Sequence, residues 1–352
     1  MQSPVSPRYS LVIPIFNEEA VLPILLHRID RLLERLDGPA EVILVDDGST
    51  DSCGIVAAGR AQADPRYRYV ALSRNFGHQV AISAGMDHAT GEAIVVMDAD
   101  LQDPPEVVLD LVAKWREGYE IVSARRLSRT GDGWLKRGTA SVFYRLVRAL
   151  TSVDIPVDVG DFRLIDRKVL DAFRTMPERD RFVRGMFGWM GFRQAVVSFH
   201  RLPRSAGATK YGWSKMMRLA VDGIVGFSDI PLRLALWIGT AVSLAALSYG
   251  AYVTALTVLG SGHLVSGWAS IIVLVSLLAG VNLLMTGIVG LYVGRIHTEV
   301  KNRPLYVVGR AIGFDRGAAG ATRGVFDRAA PAPGRAAPAL ERAAPALERA
   351  AG

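Results

Sequence analysis

Residues 93–105 read Ala-Ile-Val-Val-Met-Asp-Ala-Asp-Leu-Gln-Asp-Pro-Pro. Five apolar residues rich in β-branched side chains run into two carboxylates one residue apart. A proline pair follows, which a strand interior does not accept. The stretch therefore reads as a buried strand that ends at Asp98 and opens into an acidic loop. Outward from it, the same arrangement recurs. Tyr9–Ile15 is a short apolar run leading into Phe16-Asn17-Glu18-Glu19, and Glu41–Val45 leads into Asp46-Asp47-Gly48-Ser49-Thr50-Asp51. Tyr67–Leu72 and Glu120–Ser123 are further strand-like runs. Between them lie helical patterns. Val21, Leu22, Leu25, Leu26, Ile29, Leu32, Leu33 and Leu36 recur at helical spacing, and 52–63, 77–88 and 105–117 continue the alternation. Strand–helix alternation predicts an α/β domain with a mostly parallel sheet and helices on both faces. Ligands of such sheets bind beyond the carboxyl ends of the strands. The acidic motifs fall at those ends, so one site is expected there.

Two carboxylates one residue apart suit a hard divalent cation, which prefers oxygen ligands and bridges diphosphate oxygens. The same triplet also occurs in loops without a metal. Asp46 and its neighbours fit hydrogen bonding to a base or ribose, and equally a turn with a helix cap supplied by Ser49, Thr50 or Asp51. Glu18 and Glu19 fit either a binding loop or the acidic first turn of a helix.

Half of the 352 residues are hydrophobic and the mean hydropathy is positive. The excess is concentrated. From Leu234 to Gly294 the chain has no Asp, Glu, Lys or Arg, and His263 is its only side chain that titrates near neutral pH. This is long enough for two membrane spans and a short connection. Arg233 precedes the run, and Arg295, Lys301 and Arg303 follow it, whereas the connection near Gly260–Gly267 has no Lys or Arg. The positive-inside rule then puts both flanks in the cytoplasm. Residues 211–231, with Trp213, Met216, Met217, Ala220, Ile224 and Phe227 among charges, read as an interfacial amphipathic helix. The net charge of +7 is explained by anionic headgroups and phosphate substrates; no nucleic-acid-binding motif is present, so no nucleic-acid partner is expected. Cys53 is the only cysteine, so no intrachain disulfide forms. The first apolar stretch is short and broken by Pro14, so no signal peptide is expected. After about Gly317 the chain is rich in Ala, Pro and Arg, and a seven-residue repeat occurs at 335–341 and 342–348; its prolines predict disorder.

The ordered motifs, together with Ser73-Arg74-Asn75-Phe76-Gly77-His78, Gly160-Asp161-Phe162-Arg163-Leu164 and Arg204 through Gly207, Thr209, Lys210 and Tyr211, resemble the family 2 glycosyltransferases of GT-A fold. Within these the chain looks like the polyprenyl-phosphate glycosyltransferases, a group that includes bacterial undecaprenyl-phosphate glucosyltransferases and dolichyl-phosphate mannose synthases. The resemblance covers roughly residues 9–310. It implies a GT-A domain over 1–210, the interfacial helix at 211–231, two transmembrane helices within 232–296, a cytoplasmic basic segment at 297–316 and the tail at 317–352. It implies that Pro14, Phe16, Glu18, Asp46, Asp98, Ala99 and Asp100 line the nucleotide-sugar pocket. Asp98, Asp100 and Gln102 match the metal positions, for Mg2+ or Mn2+. Arg125 would lie near the donor diphosphate or the acceptor phosphate, and Arg137 matches a position that meets the acceptor phosphate. Arg204 and Lys210 match a loop closing over the donor diphosphate, and Asp161 matches the family's catalytic base, to act as base or orienting residue. The family loop often has Ser where this chain has Thr209. A processive synthase carries Gln-x-x-Arg-Trp, where this chain has Arg179-Asp180-Arg181-Phe182-Val183-Arg184-Gly185.

The implied reaction is inverting transfer of a sugar, glucose first, from a nucleotide-sugar to polyprenyl phosphate at the cytoplasmic face of an inner membrane crossed more than once. The implied partners are UDP-glucose or GDP-mannose, polyprenyl phosphate, the bilayer and a second copy of the chain. Mannose transfer from GDP-mannose, a polysaccharide synthase and a non-catalytic membrane adaptor are the alternatives.

Overall fold

The computed structural model describes residues 6–127, 159–179, 181–200, 230–258 and 267–314. Its centre is an eight-stranded sheet of order β7-β5-β6-β4-β1-β2-β3-β8. The strands are β1 Tyr9–Ile15, β2 Ala40–Asp46, β3 Tyr67–Leu72, β4 Ala93–Val96, β5 Ile121–Arg126, β6 Val159–Asp166, β7 Gln194–Phe199 and β8 Val308–Ile312. The helices are α1 Leu22–Arg35, α2 Cys53–Ala63, α3 His78–His88, α4 Val107–Arg116, α5 Arg167–Thr175, α6 Val183–Trp189, α7 Ile230–Val258 and α8 Trp268–Val300.

Strands β3, β2, β1 and β4 are parallel neighbours. Their buried apolar residues face both ways, as a sheet covered on two faces requires. One layer of core gathers α1, α2 and α4 against the sheet, with Leu22, Leu25, Ile29, Ala57 and Leu111 inside it. The other gathers α3, α5 and α6, with Ala81, Ile82, Val169, Phe173 and Phe187.

The sheet is mixed rather than parallel throughout. β6 runs antiparallel between β4 and β5. Its last pair with β4 joins Val96 to Arg163. Two residues further in that register bring Asp98 level with Asp161, so a motif of the fourth strand meets one some sixty residues later.

The segment at 297–316 goes beyond expectation. Its described part, 297–314, ends α8, turns, and supplies β8, antiparallel to β3 at the sheet edge, so this basic stretch also joins the sheet of the α/β domain. This covers backbone groups that an edge strand would otherwise expose. α7 and α8 carry two segments long and apolar enough to cross a membrane, Leu232–Tyr252 and Leu277–Val300, and their side chains are largely exposed. The interfacial helix predicted at 211–231 and the tail at 317–352 lie almost wholly and wholly outside the described residues, respectively.

Candidate active site

The loops after β1, β2, β3 and β4 leave the same sheet edge because those strands are parallel. They hold one another through the motif residues themselves. Asn17, in the left-handed region at φ 55°, receives the Thr50 N–H at 2.8 Å on its Oδ1, and its own N–H donates to Ser49 Oγ at 3.1 Å. Glu19 Oε2 accepts from Ser52 Oγ at 2.8 Å. Asp46 is buried, with Oδ1 accepting from the Ser49 N–H and Oδ2 from the Tyr69 hydroxyl, both at 2.8 Å. The side chain expected to meet a base or ribose thus ties its own turn with one oxygen and the neighbouring strand β3 with the other.

Asp47 reaches across to the next loop. Its Oδ1 accepts from the Phe76 N–H at 2.7 Å and its Oδ2 from the Gly77 N–H at 2.9 Å. Burial pushes its carboxyl up against those two donors. Gly48 sits at φ 72°, and a Cβ there would meet the backbone of Arg74 and Asn75 at 2.6 Å, so only glycine lets the two loops touch. Gly77, at φ 104°, then launches α3 with His78 and Gln79 first. Pro14 is buried in β1, Phe16 is exposed, and Glu18 is half-buried behind it.

The chemistry concentrates where β4, α3, β6 and α6 meet. Asp161, on β6, is buried. Arg184 Nε and Nη2 donate to its two oxygens at 2.8 and 2.9 Å, a bidentate pair. Gln79 Nε2 adds a bond at 3.1 Å, His78 Nε2 stands 3.4 Å away, and Arg163 lies 4.0 Å off. Burial alone would raise this carboxyl, but His78 and Arg184 carry it well below the usual carboxylate range. Asp98 shares His78, whose Nε2 is 3.3 Å from Oδ1, yet its balance is opposite. Burial pushes it up to about 6 against the pull of His78, and the carboxylates of Asp161, Asp103 and Asp100 add to the rise. His78 itself would be lowered by burial; the bond to Asp161 and the charge of Asp98 reverse this and raise it.

Asp100 follows one residue on. Its Oδ1 accepts from the Gln102 N–H at 3.1 Å, and Leu101 between them takes φ 57°, an uncommon conformation for a non-glycine residue. Gln102 is buried. Ala99 is buried too and turns its methyl into the apolar core, so it offers a ligand only its backbone. Asp98 Oδ1 is buried without accepting a hydrogen bond. Among the described residues no group of three or more His, Cys, Asp or Glu is arranged to hold a metal. Two carboxylates, one of them with a buried oxygen that accepts no hydrogen bond, nevertheless fit a divalent cation completed by substrate phosphates, as Mg2+ is commonly held.

Of the basic residues, Arg125 is exposed and its guanidinium reaches Ser198 Oγ at 3.2 Å. Its neighbour Arg126 points the other way, as strand geometry requires: Nη2 lies 3.1 Å from Asp103 Oδ2 and 3.9 Å from Asp98 Oδ2. Arg126 therefore faces the acidic cluster, and Arg125 lies on the opposite side of the strand. Arg137, Arg204 and Lys210 lie outside the described residues. His78, Gln79, Arg126 and Arg184 were not singled out as site residues from the sequence. Two stood inside quoted motifs, but nothing in their spacing announces that they converge on Asp161 and Asp98.

The sequence model of the family described as Glycosyl transferase family 2 matches residues 10–174. An uncharacterized glycosyltransferase of Bacillus subtilis, YkcC, is 44% identical over 308 residues, covering 88% of this chain and 95% of its own. A prophage bactoprenol glucosyl transferase homolog of Escherichia coli is 39% identical over 303 residues, covering 86% of this chain and 99% of its own. The bactoprenol glucosyl transferase of Shigella phage SfII is 39% identical over 301 residues, covering 86% and 97%.

Proposed function

The chain belongs to the family 2 glycosyltransferases, and from that premise we propose that it transfers glucose from UDP-glucose to a polyprenyl phosphate. The observation that carries this reading is the likeness to bactoprenol glucosyl transferases over nearly their whole length, apolar helix pair included. Bactoprenol is a polyprenol, and its phosphate is the acceptor this chemistry needs. The two apolar helices anchor the enzyme in a membrane. The return of the chain into β8 supports a hairpin whose two ends lie on the catalytic side. The basic flanks support a cytoplasmic side for that domain.

In the reaction an oxygen of the lipid phosphate attacks the anomeric carbon. The bond from that carbon to the diphosphate oxygen breaks, and UDP leaves with the bonding pair. One displacement inverts the configuration. The acceptor is already ionised near neutral pH, so little base catalysis is required. Asp161 suits that economy. Held ionised by Arg184 and His78, it is a weak base, and its work is to orient those two cations at the site. Of the two roles open to it, base or orienting residue, this favours the orienting one. Asp98 and Asp100 would hold Mg2+ or Mn2+, which supplies positive charge for the diphosphate; Gln102 secures the turn that presents Asp100. Arg126 holds Asp103 beside them. Arg137, Arg204 and Lys210 retain the phosphate roles that the family likeness gives them.

The test uses the purified full-length protein with radiolabelled UDP-glucose, polyprenyl phosphate and Mg2+ or Mn2+. Label should pass into organic solvent only when the lipid phosphate is present. Faster labelling from GDP-mannose would overturn glucose as the sugar, and no organic-phase label with any nucleotide-sugar would overturn the lipid acceptor.

A further inference from the structure

Beyond α8 the chain stays close to the site. Asn302 adopts φ 48° and turns the backbone away from the helix axis. Glu299, in the last turn of α8, accepts the Arg179 N–H on Oε1 at 2.8 Å, and Asn302 Oδ1 accepts from the Arg179 guanidinium. Tyr306 then donates its hydroxyl to Asp87 Oδ2 at 2.9 Å. The Val307 carbonyl accepts from the Ser73 N–H at 2.8 Å, and β8 begins. These anchoring points lie on the two segments that supply the partners of Asp161. Arg179 opens the stretch that leads through Val183 to Arg184, and the Val183 N–H donates to Gln79 Oε1 at 3.2 Å. Ser73 opens the loop that ends in His78 and Gln79, and Asp87 lies near the far end of α3, which those two residues begin.

Glu299 is also misplaced by local physics alone. A carboxylate in the last turn of a helix opposes the helix dipole. A charge-assisted bond to a backbone N–H offsets that cost.

We propose that Glu299 is a positioning residue for sugar transfer: the strap from Glu299 to Val308, leaving the second membrane helix, holds the Arg179–Arg184 stretch and through it the Asp161 cluster. Catalytic geometry then depends on how α8 is seated. The inference rests on the transfer reaction proposed above for its kinetic test, and on hydrogen exchange for a test that does not need it.

The experiment uses full-length protein in lipid nanodiscs, as Glu299→Ala and Glu299→Gln; glutamine keeps the acceptor oxygen. Glu299→Ala should lower kcat about tenfold, leave the UDP-glucose KM within about twofold and exchange the amides of 183–189 faster than wild type. Glu299→Gln should restore at least half of kcat and the slow exchange. Unchanged kcat and exchange in Glu299→Ala would overturn the proposal. So would a loss of kcat only in proportion to lost folded protein, or a glutamine variant as impaired as alanine. If wild type itself moves no glucose to polyprenyl phosphate, the transfer reading fails, and the exchange comparison alone decides the strap: faster exchange in Glu299→Ala, reversed in Glu299→Gln, supports it, and unchanged exchange overturns it.

Discussion

Arg184→Ala removes the bidentate partner of Asp161 and leaves a carboxylate that is only 5% exposed. Hydrogen bonds to charged groups contribute about 1.5–3 kcal/mol each. Breaking a buried ion pair by deleting one member costs about 3–5 kcal/mol. Two features pull the expectation to the low end. The Arg184 side chain is 32% exposed, so water screens part of the pair, and Asp161 keeps Gln79 and His78. A loss of about 3 kcal/mol follows. At about 2–4 °C per kcal/mol for a domain of this size, the catalytic-domain transition should fall by about 6–12 °C at neutral pH. The assay is thermal unfolding of the detergent-solubilised protein, run beside Asp161→Asn and the double variant. An asparagine needs no counter-charge, so the double variant should be at least ~1 kcal/mol more stable than the sum of the single losses allows. Arg184→Ala within ~2 °C of wild type, or strictly additive losses, would refute the view that Arg184 holds Asp161 charged.

The same carboxylate gives a pH signature. Its folded-state value is depressed, so its contribution is present above about 3.9 and lost as pH falls through the lower value. His78 is raised, so its part is present below about 6.5 and lost as pH rises through the folded value. In chelator, the Tm gap between wild type and Asp161→Asn should therefore peak between those ranges; a gap that grows steadily to pH 9 would contradict this. Gly48→Ala should cost at least ~1–2 kcal/mol from its left-handed φ alone, with lost turnover from the displaced Ser73–His78 loop. Gly59→Ala, in α2 with nothing within 4 Å, should stabilise by about 0.5–1 kcal/mol; equal Tm values for the two variants would sink the packing argument. Asp98→Asn should cut turnover by about two orders of magnitude or more, and excess chelator should do the same to wild type. Full turnover in chelator would remove the divalent cation from the reaction.

What the sequence made legible follows from how each strand is buried. β1 to β5 are apolar runs that end in polar motifs, and all five were readable. β6 carries Asp161 and Arg163 inside the protein, where they satisfy each other's neighbourhood. Buried charge in a strand defeats a reading based on hydrophobic runs. β7 and β8 are edge strands with several exposed residues, and β8 is separated from its partner β3 by the whole membrane run. The side taken by each of Arg125 and Arg126 is hidden for a different reason. Strand parity decides which guanidinium meets Asp103, and two identical residues in succession give parity nothing to act on. The loops at the carboxyl ends were located correctly. Their mutual hydrogen bonds were not foreseen, because a ligand-binding aspartate and a turn-forming aspartate look alike in one dimension.

The opposite shifts of Asp98 and Asp161 say what the fold has completed and what it has left open. Both carboxylates face His78. Asp161 takes bidentate hydrogen bonds from Arg184 on its two oxygens, whereas Asp98 has, among the described residues, only the longer contacts to His78 and Arg126, three carboxylates nearby and an oxygen that accepts no hydrogen bond. Asp98, Asp100, Asp103 and Asp161 are set against Arg126, Arg163, Arg184 and His78, so the cluster is near balance before any ligand arrives. A divalent cation alone would leave it positive, and a sugar diphosphate alone would add about two negative charges beside carboxylates. Together they add almost none. On the proposed reaction, this balance favours entry of metal and diphosphate as a pair, with Asp98 facing the pair and Asp161 keeping the arginine and imidazole in place to receive it.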